Sequence, residues 1–372
     1  MSRTFRRKLA FESLESRRVL AGNVMAVVDG AGDLVITGNN ASNHIKITPY
    51  VLEGVVQANA YVIESRLPGS PTNINGQATP VVVQNVTNNV LISMARGNDS
   101  VEVEDGGTGS PIQFAGMVRF IGAAGNDRLL FNEAIVNGDL NVFSGTGNDL
   151  VAVYQTNVLG ETLISTGRGN DRVGLNEADL DDAAVVNTGG GRDRIGVHGS
   201  VVTTLEINSG AGNDTLGIGV NPAPLGVTWA NLGVVTPTTQ AFGVDADGLN
   251  VNTGGASDTL GVELSDVAVD AVFATGGGND VFRYQDNTVD GSVRILGGGA
   301  QDTVEARRNQ INGNLVIRLF GANDRLVARN NTIVGNGTLV GGSGFDTLVA
   351  ANNTFNGSPF PQVLVGFENI IA

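Results

Sequence analysis

The sequence predicts an all-β fold: a parallel β-helix (β-solenoid) of about twelve 22-residue coils with an N-terminal β cap. Three observations predict it. A glycine-rich turn ending in Asp recurs eleven times, at Asp99, Asp127, Asp149, Asp171, Asp193, Asp214, Asp258, Asp280, Asp302, Asp324 and Asp346. The separations are 28, 22, 22, 22, 21, 44, 22, 22, 22 and 22, so the period is 22 and the 44 is two periods. Residues two and four places after each Asp are apolar and alternate with polar residues or glycine, the pattern of a strand with one buried face. Residues 1–22 read as a targeting segment, 23–95 as a β-rich capping region and 96–372 as the repeat domain.

Each element of the coil follows from the register. The strand after the Asp is marked by Leu129/Phe131, Val151/Val153, Val173/Leu175, Ile195/Val197, Leu216/Ile218, Leu260/Val262 and Phe282/Tyr284. A second apolar set, Val289/Val293/Ile295 and then Ile311/Leu315/Ile317, marks a second strand bent at a recurring glycine (Gly138, Gly160, Gly291, Gly313, Gly335, Gly357). Asn-rich corners join the two, at 132–133, 176–177, 286–287, 330–331 and 352–353, where a left-handed backbone is tolerated. A single coil has too few inward side chains to make a core, so stacking must bury them. The first long gap is an inserted loop at 105–113. Residues 220–243 have lost the Asp and hold Trp229 and three prolines, as expected of a decayed coil with a looped-out segment. In the N-terminal region three strands are joined by DGAGD and GNNASN, with Asn43 in the place of the Asp. Phe367 and Ile370 are expected to close the other end.

Composition narrows the function. Residues 1–22 carry +4 of a net charge of −15, so the remaining 350 residues carry −19 and nucleic acid is an unsuitable partner. The chain has no Cys, which excludes disulfides and Cys-based zinc sites. No apolar run reaches the ~18 residues of a membrane span.

The Asp turns pose the central chemical question. GGSGFDTLV at 341–349, and less completely SGTGNDLVA at 144–152 and TGGGNDVFR at 275–283, resemble the calcium-binding nonapeptide of repeat-in-toxin (RTX) proteins. The resemblance implies calcium held by Asp127, Asp149, Asp171, Asp193, Asp214, Asp280 and Asp346 with the preceding glycine carbonyls, a donor type that suits this ion. The sequence departs from that pattern: the repeats are not in tandem, Ala256, Ala300 and Ala322 replace the middle glycine, and Arg128, Arg172, Arg194 and Arg325 follow the Asp. The alternative is a metal-free corner in which each Asp accepts N–H bonds of its own loop. Neutral Asn would serve there too, and carboxylates stacked ~4.8 Å apart repel, so the retained charge points to a cation or to Arg pairing.

An enzyme is not expected. The repeat domain has no Lys, His198 is expected on the surface, and the pairs Asp181/Asp182 and Glu177/Asp179 read more simply as an acidic corner than as glycosidase acids. Arg307 and Arg329 are one period apart and should stack as a basic strip for an anionic glycan or another acidic rod, unless Glu305, Asp286 and Asp324 neutralise it. Residues 11–21, FESLESRRVLA, resemble a short N-terminal motif of exported planctomycete proteins, which implies an extracellular or cell-surface location. The expected function is structural or adhesive, with cell-envelope or extracellular polysaccharide or other surface proteins as partners. A polysaccharide-binding or polysaccharide-degrading β-helix is the alternative.

Overall fold

The computed structural model describes residues 22–66, 72–219, 243–359 and 361–371. They form an all-β, parallel β-solenoid of about eleven turns, with no helix among the described residues. The strand after each Asp stacks in register on its equivalent one period away: Leu150–Tyr154 pairs in parallel with Arg172–Asn176, and that strand with Arg194–His198. Repetition builds one sheet of fifteen strands, and the other sides of the coils merge into a second sheet of twenty-three. The apolar positions chosen from the alternation all point inward: Phe131, Val153, Leu175, Val262 and Phe282 have no exposed surface.

The second side of the coil is two strands rather than one bent strand. Asn157–Val158 and Thr162–Ser165 flank Gly160, and Thr288–Val289 and Val293–Gly298 flank Gly291. A Cβ at Gly291 would collide with the carbonyl oxygen of Val269 in the preceding coil, so the glycine permits a close approach between coils. Where this glycine is missing, the strand runs through as Asp179–Asn187, with an irregularity between Leu180 and Ala183. At the corners, the residue with positive φ is the one six places after the Asp, and its type varies: Glu133, Gln155, Glu177, Leu264, Asp286, Arg308, Asn330 and Asn352. Asn is therefore not what makes the bend.

The expected twelve coils become about eleven because the stack passes directly from Asp214 to Asp258. Thr215–Ile218 pairs with Thr259–Glu263, and Val201–Asn208 with Asp245–Asn252. The decayed coil expected at 220–243, with Trp229, lies almost wholly outside the described residues, as does the targeting segment up to residue 21. The inserted loop is folded around Asp105, whose carboxylate accepts the N–H groups of Gly107 and Gly109 at 2.9 Å each. It ends before Ile112–Phe114, a regular strand paired with Ala134–Val136, so 112 and 113 belong to the coil.

The N-terminal region is more regular than its sequence suggests. Leu34–Gly38 stacks in parallel on Val90–Ser93, and His44–Leu52 on Ser100–Val103, so residues 34–47 already follow the solenoid path. Antiparallel strands extend both sheets beyond it, Asn23–Val28 beside Leu34–Gly38 and Val55–Ser65 beside His44–Leu52. At the other end, Phe367 is partly buried against the core but Ile370 is 53% exposed, so Ile370 does not close the coil.

Candidate functional site: the inward row of aspartates

Every Asp of the repeat turns inward and is at most 2% exposed. Each carboxylate accepts the backbone N–H of the Asp one coil earlier. Asp127 Oδ1 takes the N–H of Asp99, Asp149 that of Asp127, Asp171 that of Asp149, and the series continues through Asp193, Asp214, Asp258, Asp280, Asp302 and Asp324 to Asp346, at 2.7–3.0 Å. Asn43 begins the row by giving its N–H to Asp99 at 2.7 Å, and Glu368 Oε2 ends it by accepting the N–H of Asp346 at 2.7 Å. The acceptor thus serves the neighbouring coil rather than its own loop; Asp302 alone also takes an N–H from its own turn, that of Gly298 at 2.8 Å. A buried N–H without an acceptor costs ~1–3 kcal/mol, so the row satisfies a requirement that recurs at every coil junction.

A second row runs the opposite way one residue earlier. Asn98 Oδ1 accepts the N–H of Asn126, Asn126 that of Asn148, Asn148 that of Asn170, and Asn170 that of Arg192, at 2.7–2.8 Å. The repeated Asn-Asp pair is therefore two acceptors, one aimed forward along the rod and one back. The glycine before the pair has no alternative. Gly147 has φ +134°, and a Cβ there would collide with the carbonyl oxygen of Gly125 in the coil before.

The seven Asp residues proposed from the nonapeptide share this geometry with Asp99, Asp258, Asp302 and Asp324, which the nonapeptide comparison passed over. In ten of the eleven, all but Asp302, the second oxygen Oδ2 is buried without a hydrogen bond. Burial pushes the carboxyl up from 3.8 to about 6 at Asp99, Asp149 and Asp280 and to about 7 at Asp127, Asp193, Asp258 and Asp324, and raises it also at Asp171, Asp214 and Asp302. Neighbouring carboxylates add to the rise at Asp127, Asp149, Asp193, Asp258, Asp280 and Asp324. The accepted N–H bonds oppose it. Arg pairing, expected from the residue after the Asp, plays no part in these shifts, because Arg128, Arg172 and Arg194 start a strand whose next residue faces the core and so lie on its outer side.

As a calcium donor set the row is sparse. The spare oxygens stand in single file, one per coil. Turn carbonyls such as Gly145 and Gly167 already accept N–H groups of the next coil at 3.1 and 2.9 Å. Calcium takes six to eight oxygens, and no group of three or more His, Cys, Asp or Glu stands ready to hold a metal among the described residues.

A third row was not foreseen. Asn287, Asn309, Asn331 and Asn353 are buried seven residues after the Asp. Asn309 Oδ1 accepts the N–H of Asn287 at 3.1 Å, while Asn309 Nδ2 donates to the carbonyl of Tyr284 at 2.8 Å and to Asn331 Oδ1 at 2.9 Å. The signal was present in the sequence as four successive coils with Asn in one column.

The remaining candidates fall elsewhere. Arg307 and Arg329 stack in register as expected. Glu305 lies 3.3 Å from Arg307 and 3.9 Å from Arg283, and Asp286 makes a two-pronged pair with Arg308 at 2.6 Å, so acids stand along that strip; Asp324 takes no part, being turned inward. His198 is fully buried, with Nδ1 3.0 Å from Asn176 Oδ1, and burial lowers its pKa; the surface placement was wrong. Asp179 and Asp181 line a groove of about 430 Å³ with Asp245, Asp247, Asp266 and Asp290.

Residues 6–24 match the model of a family described as Planctomycete extracellular. No curated protein and no solved structure matches the chain. Among the described residues no helix is long and apolar enough to cross a membrane.

Proposed function

We propose that the chain is an exported, non-enzymatic solenoid rod with a structural or adhesive role outside the cell or at its surface, and that polysaccharide or other surface proteins are its partners. The observation that carries this reading is the match to an extracellular-type motif at residues 6–24, ahead of a rod built from repeated coil junctions. In this reading the antiparallel strands at the N-terminal end cap the rod against edge-to-edge association. Expression with and without residues 1–22, followed by cell fractionation, tests it. The full chain is expected outside the cytoplasm and the truncated chain inside; an unchanged distribution removes the export role.

Calcium is a second reading, favoured by the spare Oδ2 oxygens. A bound ion would offset the carboxylate charge that burial leaves uncompensated. The reading expects heat on calorimetric titration with calcium and a raised Tm, both abolished by chelator. Titration without heat or shift leaves the hydrogen-bonded row as the whole role of these residues.

A further inference from the structure

We propose that the glycine-turn edge between Asp171 and Asp214 binds an acidic polysaccharide, gripping its carboxylate or sulfate groups with Arg192 and Arg194, Arg172 standing alongside. The proposal rests on the reading of the chain as an exported surface rod. Here a groove of about 580 Å³ is lined by those three arginines, by Asn170 and Asn213, and by the bare backbone of Gly191 and Gly212. Its only carboxylate, Asp171, is turned inward, with Oδ1 bound to the Asp149 N–H.

Two features of this groove run against the stability of the fold. Arg172 and Arg194 are direct register partners, so like charges stand one strand spacing apart, a destabilising arrangement. Arg192 occupies the column in which Asn98, Asn126, Asn148, Asn170 and Asn213 supply the forward-aimed acceptor. A guanidinium has no acceptor atom, so Arg192 cannot serve the N–H of Asn213 as Asn170 serves its own. Neither Arg192 nor Arg194 lies within ion-pair distance of a carboxylate among the described residues, whereas Arg283, Arg307 and Arg308 do.

The chemistry of the occupant follows. Planar guanidinium forks bind carboxylate and sulfate in two-pronged fashion. The glycine floor leaves room for a sugar ring beneath them. A chain of net charge −15, of which residues 23–372 carry −19, repels polyanions elsewhere, which localises binding here. A polysaccharide brings its anionic groups to these arginines alone, whereas a second rod would bring its own net negative charge.

The test uses the full chain on immobilised sulfated glycan, on immobilised polyuronate and on neutral dextran. Retention is expected on one or both acidic matrices and not on dextran, falling with salt; the matrix that retains identifies sulfate or carboxylate. The double variant Arg192→Asn, Arg194→Thr is expected to lose at least tenfold in apparent affinity, and Arg119→Ser, on an outward position of another coil, to keep it. The double variant carries residue types used by other coils in those columns, and its Tm reports that it folds. No retention of the wild type, or equal retention of the double variant, overturns the proposal. Self-association by sedimentation that the double variant abolishes, without glycan retention, also overturns it and assigns the groove to a second copy. None of these outcomes touches the export reading, which rests on fractionation.

Discussion

Acidification from pH ~8 to pH ~5 is expected to raise the Tm of the rod by about 10 °C. Seven of the repeat aspartates (Asp99, Asp127, Asp149, Asp193, Asp258, Asp280 and Asp324) have folded values of about 6 to about 7 against 3.8 in the unfolded chain. Because the folded value is the higher one, the folded chain holds these protons more tightly. The contribution is fully present below 3.8 and is lost as pH rises through 6 to 7. Each unit of displacement is worth ~1.4 kcal/mol, and several groups titrate together, so a discount for their coupling still leaves a large effect. Thermal melts in chelator across this range check it. A flat profile, or a Tm that climbs with pH, would show that the charge is neutralised by other means. Asp193→Asn sharpens the test: it keeps an acceptor for the Asp171 N–H and removes the charge. It is expected to stabilise the rod by ~1–2 kcal/mol at pH ~8 and to do little at pH ~5. Asp193→Ala removes both and is expected to destabilise at pH ~5, where the lost acceptor is no longer offset by relief of charge.

Asn309→Ala is expected to cost about 4 kcal/mol in chemical denaturation. The substitution leaves the buried N–H and Nδ2 of Asn287 without Asn309 Oδ1, and the Tyr284 carbonyl without its donor. Asn309→Asp is expected to recover only part of the loss, because it restores the acceptor but sets a carboxylate oxygen against the Tyr284 carbonyl. A cost below ~1 kcal/mol for Asn309→Ala would mean that water satisfies these groups, and the row would then be a consequence of the corner rather than its cause.

The core was legible because burial in a strand is written at a spacing of two residues. Leu129 and Phe131, or Val151 and Val153, need only their own neighbours to be recognised. The function of the Asp was harder to read, because its hydrogen-bond partner lies 22 residues earlier and a turn inspected alone offers only its own N–H groups. The Asn corners misled for the same reason. In the pairs at 286–287, 330–331 and 352–353, the first residue bends the chain and the second accepts an N–H of the preceding coil, and adjacent letters do not separate the two tasks. His198 looked exposed because corners usually are; it is enclosed within the stack and fully buried. The coil count was overestimated because a spacing of 44 residues was read as two turns, whereas Asp214 and Asp258 are adjacent in the ladder. In the candidate groove, Arg172 and Arg194 were visible as departures from the turn pattern, but Arg192 acquires meaning only beside the column of Asn residues it interrupts.

The rows of acceptors also decide how the molecule would carry load. Every hydrogen bond between coils, from backbone or side chain, lies along the rod, so tension applied at the two ends falls on one junction at a time rather than shearing a whole sheet. Each coil that lets go would release 22 residues, about 70 Å of extended chain. An anchor built in this way would lengthen stepwise under drag and could recoil coil by coil, in the manner of a tether with a shock absorber along its length.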